Sequence, residues 1–149
     1  MQTLATVDAI LHQKGAEVYA IPPDATVFEA LKTLRAKNVG ALLVMRDDRL
    51  VGIVSERDYA RKVAIEGRDS RTTPVSDIVT SAVHTVTRET TIQDCMELMS
   101  EHRVRHLPVL EESRVIGVIS VGDLVKWIIQ AQSATIDQLQ SYISGQYPS

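Results

Sequence analysis

A chain of 149 residues with 44% hydrophobic and 23% charged side chains can bury a core, which excludes a disordered chain, and no apolar run nears the roughly 20 residues of a membrane span. The formal charge of −3 argues against duplex nucleic acid as the main partner, because neutralising phosphates needs clustered lysine and arginine. Cys95 is the only cysteine, which rules out an internal disulfide and any multi-cysteine metal site, and the opening Met1-Gln2-Thr3-Leu4-Ala5-Thr6 has no basic stretch leading into an apolar one, so a cytoplasmic protein is expected.

In chain order, Val7-Asp8-Ala9-Ile10-Leu11 is followed by a short β-prone run, Val18-Tyr19-Ala20-Ile21, and a polar turn. Thr26-Val27-Phe28-Glu29 has the form of a capping box, and Val27, Ala30, Leu31 and Leu34 continue at helical spacing. Two apolar runs, Ala41–Met45 and Leu50–Val54, flank the polar turn Arg46-Asp47-Asp48-Arg49 and predict an antiparallel hairpin, with a helix following from Glu56. Gly67-Arg68-Asp69-Ser70-Arg71-Thr72-Thr73-Pro74 reads as a linker.

Beyond the linker every element returns. Val75-Ser76-Asp77-Ile78-Val79 resembles the opening segment, and Val83-His84-Thr85-Val86 the first β-prone run. A helix is predicted on Thr91, Ile92, Cys95, Met96 and Met99, then a hairpin of Leu107–Leu110 and Val115–Ile119, then a helix from Val121. Residues 18–64 superimpose on 83–129 at a constant offset of 65 without a gap, and nine of the 47 positions are identical, where average composition gives about three. The fold expected is therefore α/β (α+β), two β-α-β-β-α units at 7–66 and 75–129 with a linker at 67–74. Three short strands expose too small an apolar face to be stable alone, so the units should pack together. At 130–149 an amphipathic tail is expected, since Ile128, Ile129, Ile136, Leu139 and Ile143 recur among polar residues.

The sharpest motif closes each hairpin: Gly52-Ile53-Val54-Ser55-Glu56-Arg57-Asp58 and Gly117-Val118-Ile119-Ser120-Val121-Gly122-Asp123. A serine three residues before an aspartate is ordinarily a helix cap. Its recurrence in register, with a hydroxyl donor beside a carboxylate that can accept both ribose hydroxyls, also suits a nucleotide.

With His102-Arg103-Val104-Arg105-His106-Leu107-Pro108-Val109 ahead of the second hairpin, the paired motif resembles a tandem pair of cystathionine-β-synthase (CBS) domains over about residues 7–129, and Ser55-Glu56-Arg57-Asp58-Tyr59-Ala60-Arg61-Lys62 is similar to small stand-alone bacterial pairs. The resemblance implies a pseudo-twofold regulatory or signal-transduction module with two clefts that bind AMP, ATP or NAD, a homodimer, and an effector protein of unknown identity. It implies Asp58 and Asp123 as ribose ligands, with Ser55 and Ser120 near phosphate. The adenine walls would be Tyr19, Ala20, Ile21 and Ala41 in one cleft and Thr85, Val86 and Leu107 in the other. Arg57 stands where the second copy has Gly122, and Arg105 and His106 stand where the first has Gly40 and Ala41, so the clefts should differ. Arg57 and Arg105 are either surface groups or phosphate ligands, and His106 is either a half-buried structural histidine or a phosphate ligand.

No catalytic set assembles from the rest. His12, His84, His102 and His106 lack metal-ligand spacing, Cys95 lies on an apolar stripe, and there is no glycine-rich phosphate loop with its lysine and no nucleophile elbow. A non-catalytic binding module is expected, with no catalytic cofactor and no membrane partner. Its alternatives are an enzyme acting on a bound nucleotide and a dimerisation module with empty clefts.

Overall fold

A computed structural model describes residues 5–15 and 17–143, with side chains in the last helix described as far as residue 133. Helix α1 (Val7–Lys14) precedes strand β1 (Ala20–Ile21), helix α2 (Val27–Lys37) and the hairpin β2 (Ala41–Arg46) and β3 (Arg49–Ser55). Helix α3 (Glu56–Tyr59) runs on as a π turn through Ala60–Ala64. After a 3₁₀ turn at Val75–Asp77 come helix α4 (Ile92–His102), the hairpin β4 (His106–Glu111) and β5 (Arg114–Ser120), and helix α5 (Val121–Ile143). The fold is α+β, as the repeated pattern predicts.

The helix starts follow from side-chain caps: Thr26 Oγ1 accepts the Glu29 N–H and Thr91 Oγ1 the Asp94 N–H. Both hairpins turn on two residues and carry a bulge at the same place, between Val44 and Met45 and between Val109 and Leu110. Burial along β2 matches β4 residue for residue, and β3 matches β5, so the duplication extends to which side chains meet the core.

The copies differ at their first strand. Ala20–Ile21 pairs in parallel with β2, making a three-stranded sheet, whereas the expected strand Val83–Val86 is reduced to one parallel bridge between Val86 and Val109. Met96, placed by spacing on the apolar stripe of α4, is 44% exposed, while Ile92, Cys95 and Met99 are buried. Helix α5 absorbs the beginning of the expected tail, with Trp127 and Ile128 half-buried on the core and Ile129 exposed; Ile136, Leu139 and Ile143 lie outside the described side chains.

Among the described residues there are two cores, and each contains a piece of the opposite copy. Val7, Ile10 and Leu11 of α1 pack with Val86, Ile92, Cys95, Leu107, Val109 and Ile119 of the second copy. Reciprocally, Val75 and Ile78 pack with Val27, Leu34, Leu42, Val44, Val54 and Val63 of the first. The segment leading into each copy therefore closes the core of the other, and the motif glycines mark both closures. A Cβ on Gly52 would strike the Thr80 carbonyl and Val79, and one on Gly117 would stand 2.7 Å from a methyl of Leu11. The linker at 67–74 thus separates the copies in sequence and not in space.

Candidate functional site

Each Ser-x-x-Asp motif spans the junction from the last hairpin strand to a helix. At the first, Asp58 Oδ2 accepts the Ser55 N–H at 2.9 Å and the Ser55 hydroxyl at 3.0 Å, while Ser55 Oγ accepts the Asp58 N–H at 3.1 Å, a complete capping box. Asp58 Oδ1 is ion-paired with Lys62 at 3.1 Å and accepts the Thr80 hydroxyl at 3.3 Å. A carboxylate offers about four acceptor positions, so Asp58 is saturated by its own surroundings. A ribose here would have to displace Lys62 and Thr80.

The second motif is built alike and is less filled. Asp123 Oδ2 accepts the Ser120 N–H at 2.8 Å, and Ser120 Oγ accepts the Asp123 N–H at 3.1 Å. The cation on Asp123 Oδ2 is Lys14 of α1, at 2.7 Å, and the same ammonium donates to the Val118 carbonyl at 2.8 Å. The Ser120 side chain also bonds to the Asp123 carboxylate, and among the described residues no other group reaches Asp123 Oδ1. Burial pushes the Asp123 carboxyl upward, but the bonds from Lys14 and Ser120 outweigh it and hold the group below the usual aspartate value. Burial also pushes the His106 imidazole below its ordinary range, with Lys14 and Arg105 adding to the effect and Asp123 opposing it.

A cleft of about 860 Å³ opens between the copies at the first motif. Its lining includes Ser55, Arg57, Asp58, Arg61 and Lys62 from one copy and His84, Arg103, Arg105 and His106 from the other. Five residues marked by the motif reading therefore share one cavity: Ser55, Arg57, Asp58, Arg105 and His106.

The expected adenine walls are placed differently. The wall beside Asp58 is Thr80, Ala82, Val83 and His84, because the strand entering the second copy bridges to Ile53 at Thr80. Tyr19, Ala20, Ile21 and Ala41 do not line this cleft. Tyr19 donates its hydroxyl to Glu17 beneath Lys37, Ala20 is exposed, Ile21 is buried in the core and Ala41 pairs with Ser55 in the hairpin. Val86 and Leu107 are core side chains at 4% and 0% exposure, and Thr85 is exposed. Ser120 and Asp123 sit at the equivalent junction of the second copy, attended by Lys14.

The sequence reading missed Lys14, Lys62, Thr80, Arg61 and Arg103. Lys62 was legible, four residues from Asp58 on the same turn. Lys14 and Thr80 act across 109 and 22 positions and left no local signal. Arg103 is itself the left-handed cap of α4 and lines the cleft. The stacked pair His84 and His102, with ring centroids 3.7 Å apart, was also unforeseen. Among the described residues no group of three potential metal ligands assembles, and no helix is long and apolar enough to cross a membrane.

Duplicated hairpin units that exchange their leading segments and carry one motif each define a tandem paired module. The CBS domain family model matches residues 13–65 and 75–130, and the chain belongs to that family as a tandem pair. It is 40% identical over 129 residues to the mitochondrial CBS domain-containing protein CBSX3 of Arabidopsis thaliana, covering 83% of this chain and spanning 63% of that relative's length. A CBS-domain structure from Burkholderia ambifaria, described as a signal-transduction protein, superimposes with a TM-score of 0.84 at 46% identity over 86% of this chain and 96% of that one. The CBS pair of MJ0100, solved with 5′-methylthioadenosine and S-adenosylmethionine, shares the fold at a TM-score of 0.77 and 21% identity, over 87% and 99% of the two chains.

Proposed function

We propose that this CBS pair is a cytoplasmic, non-catalytic sensor of adenosine nucleotides, AMP, ATP or NAD, that passes occupancy to an effector protein through the packing of its two copies. The observation that carries this reading is the cleft of about 860 Å³ in which a Ser-x-x-Asp motif of one copy faces arginines of the other. That volume falls within the range of small-molecule sites. The second motif adds what a nucleotide asks for: a half-buried carboxylate for the ribose diol, a serine hydroxyl beside it, and an ammonium for phosphate. A related fold with adenosine compounds bound supports the ligand class.

Asp123 is the residue we assign to ribose, with Ser120 beside the phosphate. The module works as a homodimer in this reading, because Val121, Val125 and Ile129 recur at four-residue intervals along α5 at 42%, 49% and 55% exposure, a stripe that a second copy would cover. Light scattering should give twice 16.5 kDa. The function itself is tested by equilibrium dialysis against AMP, ATP and NAD followed by chromatography of the recovered ligand. Binding with unchanged ligand is the expected result. Turnover would favour an enzyme, and retention of no nucleotide would leave a dimerisation module.

A further inference from the structure

The two copies present helical faces of opposite charge. In the first, α2 carries Lys32, Arg35 and Lys37 against Glu29; in the second, α4 carries Asp94, Glu97 and Glu101 and no lysine or arginine. All of these side chains are exposed, and among the described residues none of them forms an ion pair. Local helix physics does not ask for this pattern at α4. Arg35 and Lys37 suit the last turn of α2, but Glu101 in the last turn of α4 meets the negative end of the helix dipole, where a carboxylate is destabilising. A cation from outside the chain would offset that cost.

The faces also differ in relief. Helix α2 packs on α3, and between them lies a cavity of about 580 Å³ lined in part by Leu31, Leu34, Val39 and Tyr59, while Ala60 and Ala64 of the following turn are small and exposed. Helix α4 packs on α5, where the positions 65 residues on from Ala60 and Ala64 are Val125 and Ile129, exposed together with Met96 and Val121. One face is basic and recessed, and the other is acidic with projecting apolar side chains. Two like faces brought together would repel, whereas unlike faces attract and fill one another.

We infer that two chains associate head to tail, the basic α2–α3 face of each seating on the acidic α4–α5 face of the other. The inference rests on the reading of the module as a homodimer and fixes which surfaces meet. A twofold axis makes the two contacts identical. Each contact joins the helix opened by Ser55 and Asp58 in one chain to the helix opened by Ser120 and Asp123 in the other, so each interface connects unlike motifs of different chains.

The test uses the full chain. Ala60→Cys and Val125→Cys are treated with a short bismaleimide, singly and after mixing, with the parent, whose Cys95 is buried, as control. The mixture should give covalent dimers and each variant alone almost none. In velocity sedimentation, Lys32→Glu/Arg35→Glu should weaken the dimer tenfold or more, and adding Glu97→Lys/Glu101→Lys to the same chain should restore it to within about threefold. A mixture that yields no covalent dimer, covalent dimers within either variant alone, a reversal that leaves the dimer unchanged, or one that the second reversal does not rescue would each overturn the inference and leave the homodimer standing. A parent that sediments as a 16.5 kDa monomer at micromolar concentration would remove the homodimer reading and the inference with it.

Discussion

Lys14 donates to Asp123 at 2.7 Å across 109 positions of sequence, tying the helix that precedes the first copy to the motif that closes the second. Its counterpart at the first motif, Lys62, lies four residues from Asp58 on the same helical run. One motif is therefore neutralised locally and the other by an element that must stay docked.

Removing that contact has a definite sign. The folded-state pKa of Asp123 is depressed, so its contribution to stability is present above the ordinary aspartate value and is lost as pH falls through the depressed one. Lys14→Met should lower stability at neutral pH by about 1 kcal/mol, and its deficit against the parent should shrink as acid protonates Asp123 in both. Urea titrations at neutral and acid pH check this; a deficit independent of pH would mean that packing, not charge, holds α1.

The two motif glycines should respond unequally to one methyl group. At Gly52 the obstacle includes the Thr80 carbonyl, which itself accepts the Ile53 N–H at 3.0 Å, so the backbone would have to shift. At Gly117 the obstacle is the end of the Leu11 side chain, which can rotate. Gly52→Ala should cost about 2–3 kcal/mol and Gly117→Ala under about 1 kcal/mol, measured by denaturant unfolding, and equal losses would refute the distinction.

The hairpins, the helix starts and the motif positions were legible because they rest on local patterns: alternation, caps, and a repeat in register. Even the bulges fall at equivalent places, between Val44 and Met45 and between Val109 and Leu110. What was not legible depends on the exchange of leading segments. Nothing in Val75-Ser76-Asp77-Ile78 says that it belongs to the first core, and so nothing in the sequence brings Thr80, Ala82, Val83 and His84 to the cleft at Asp58. The same exchange hid Lys14. The resemblance implies Ile21, Val86 and Leu107 as ligand walls, and the structure buries all three in the cores.

Cys95 is buried, and desolvation together with the nearby Asp94 pushes its thiol up to about 11. At neutral pH it should stay protonated and react with iodoacetamide only on opening of the fold, at a rate that rises with urea in step with unfolding. Fast alkylation of the native protein would contradict this placement.

His106 carries the opposite sign of charge change. Its imidazole is depressed, chiefly by burial, so the unfolded chain binds a proton that the folded chain resists between the ordinary value of 6.5 and the lower folded one. Stability from this residue is present above pH 6.5 and falls away as pH drops through that window. His106→Gln should flatten the dependence, seen as a smaller loss of melting temperature between about pH 8 and pH 5. An unchanged slope would assign it to other groups.

The central claim, a module that binds adenosine nucleotides, is tested most directly by thermal unfolding with AMP, ATP and NAD in turn. A ligand that binds only the native state stabilises by RT ln(1 + [L]/Kd), about 2.7 kcal/mol at one hundred times Kd, which for a chain of 149 residues is a rise of roughly 6–9 °C in the melting midpoint. At least one of the three should produce a saturating rise of that order, and Asp123→Ala should reduce it for the ligand held at the second motif. Midpoints unmoved by all three at millimolar concentration would contradict the account.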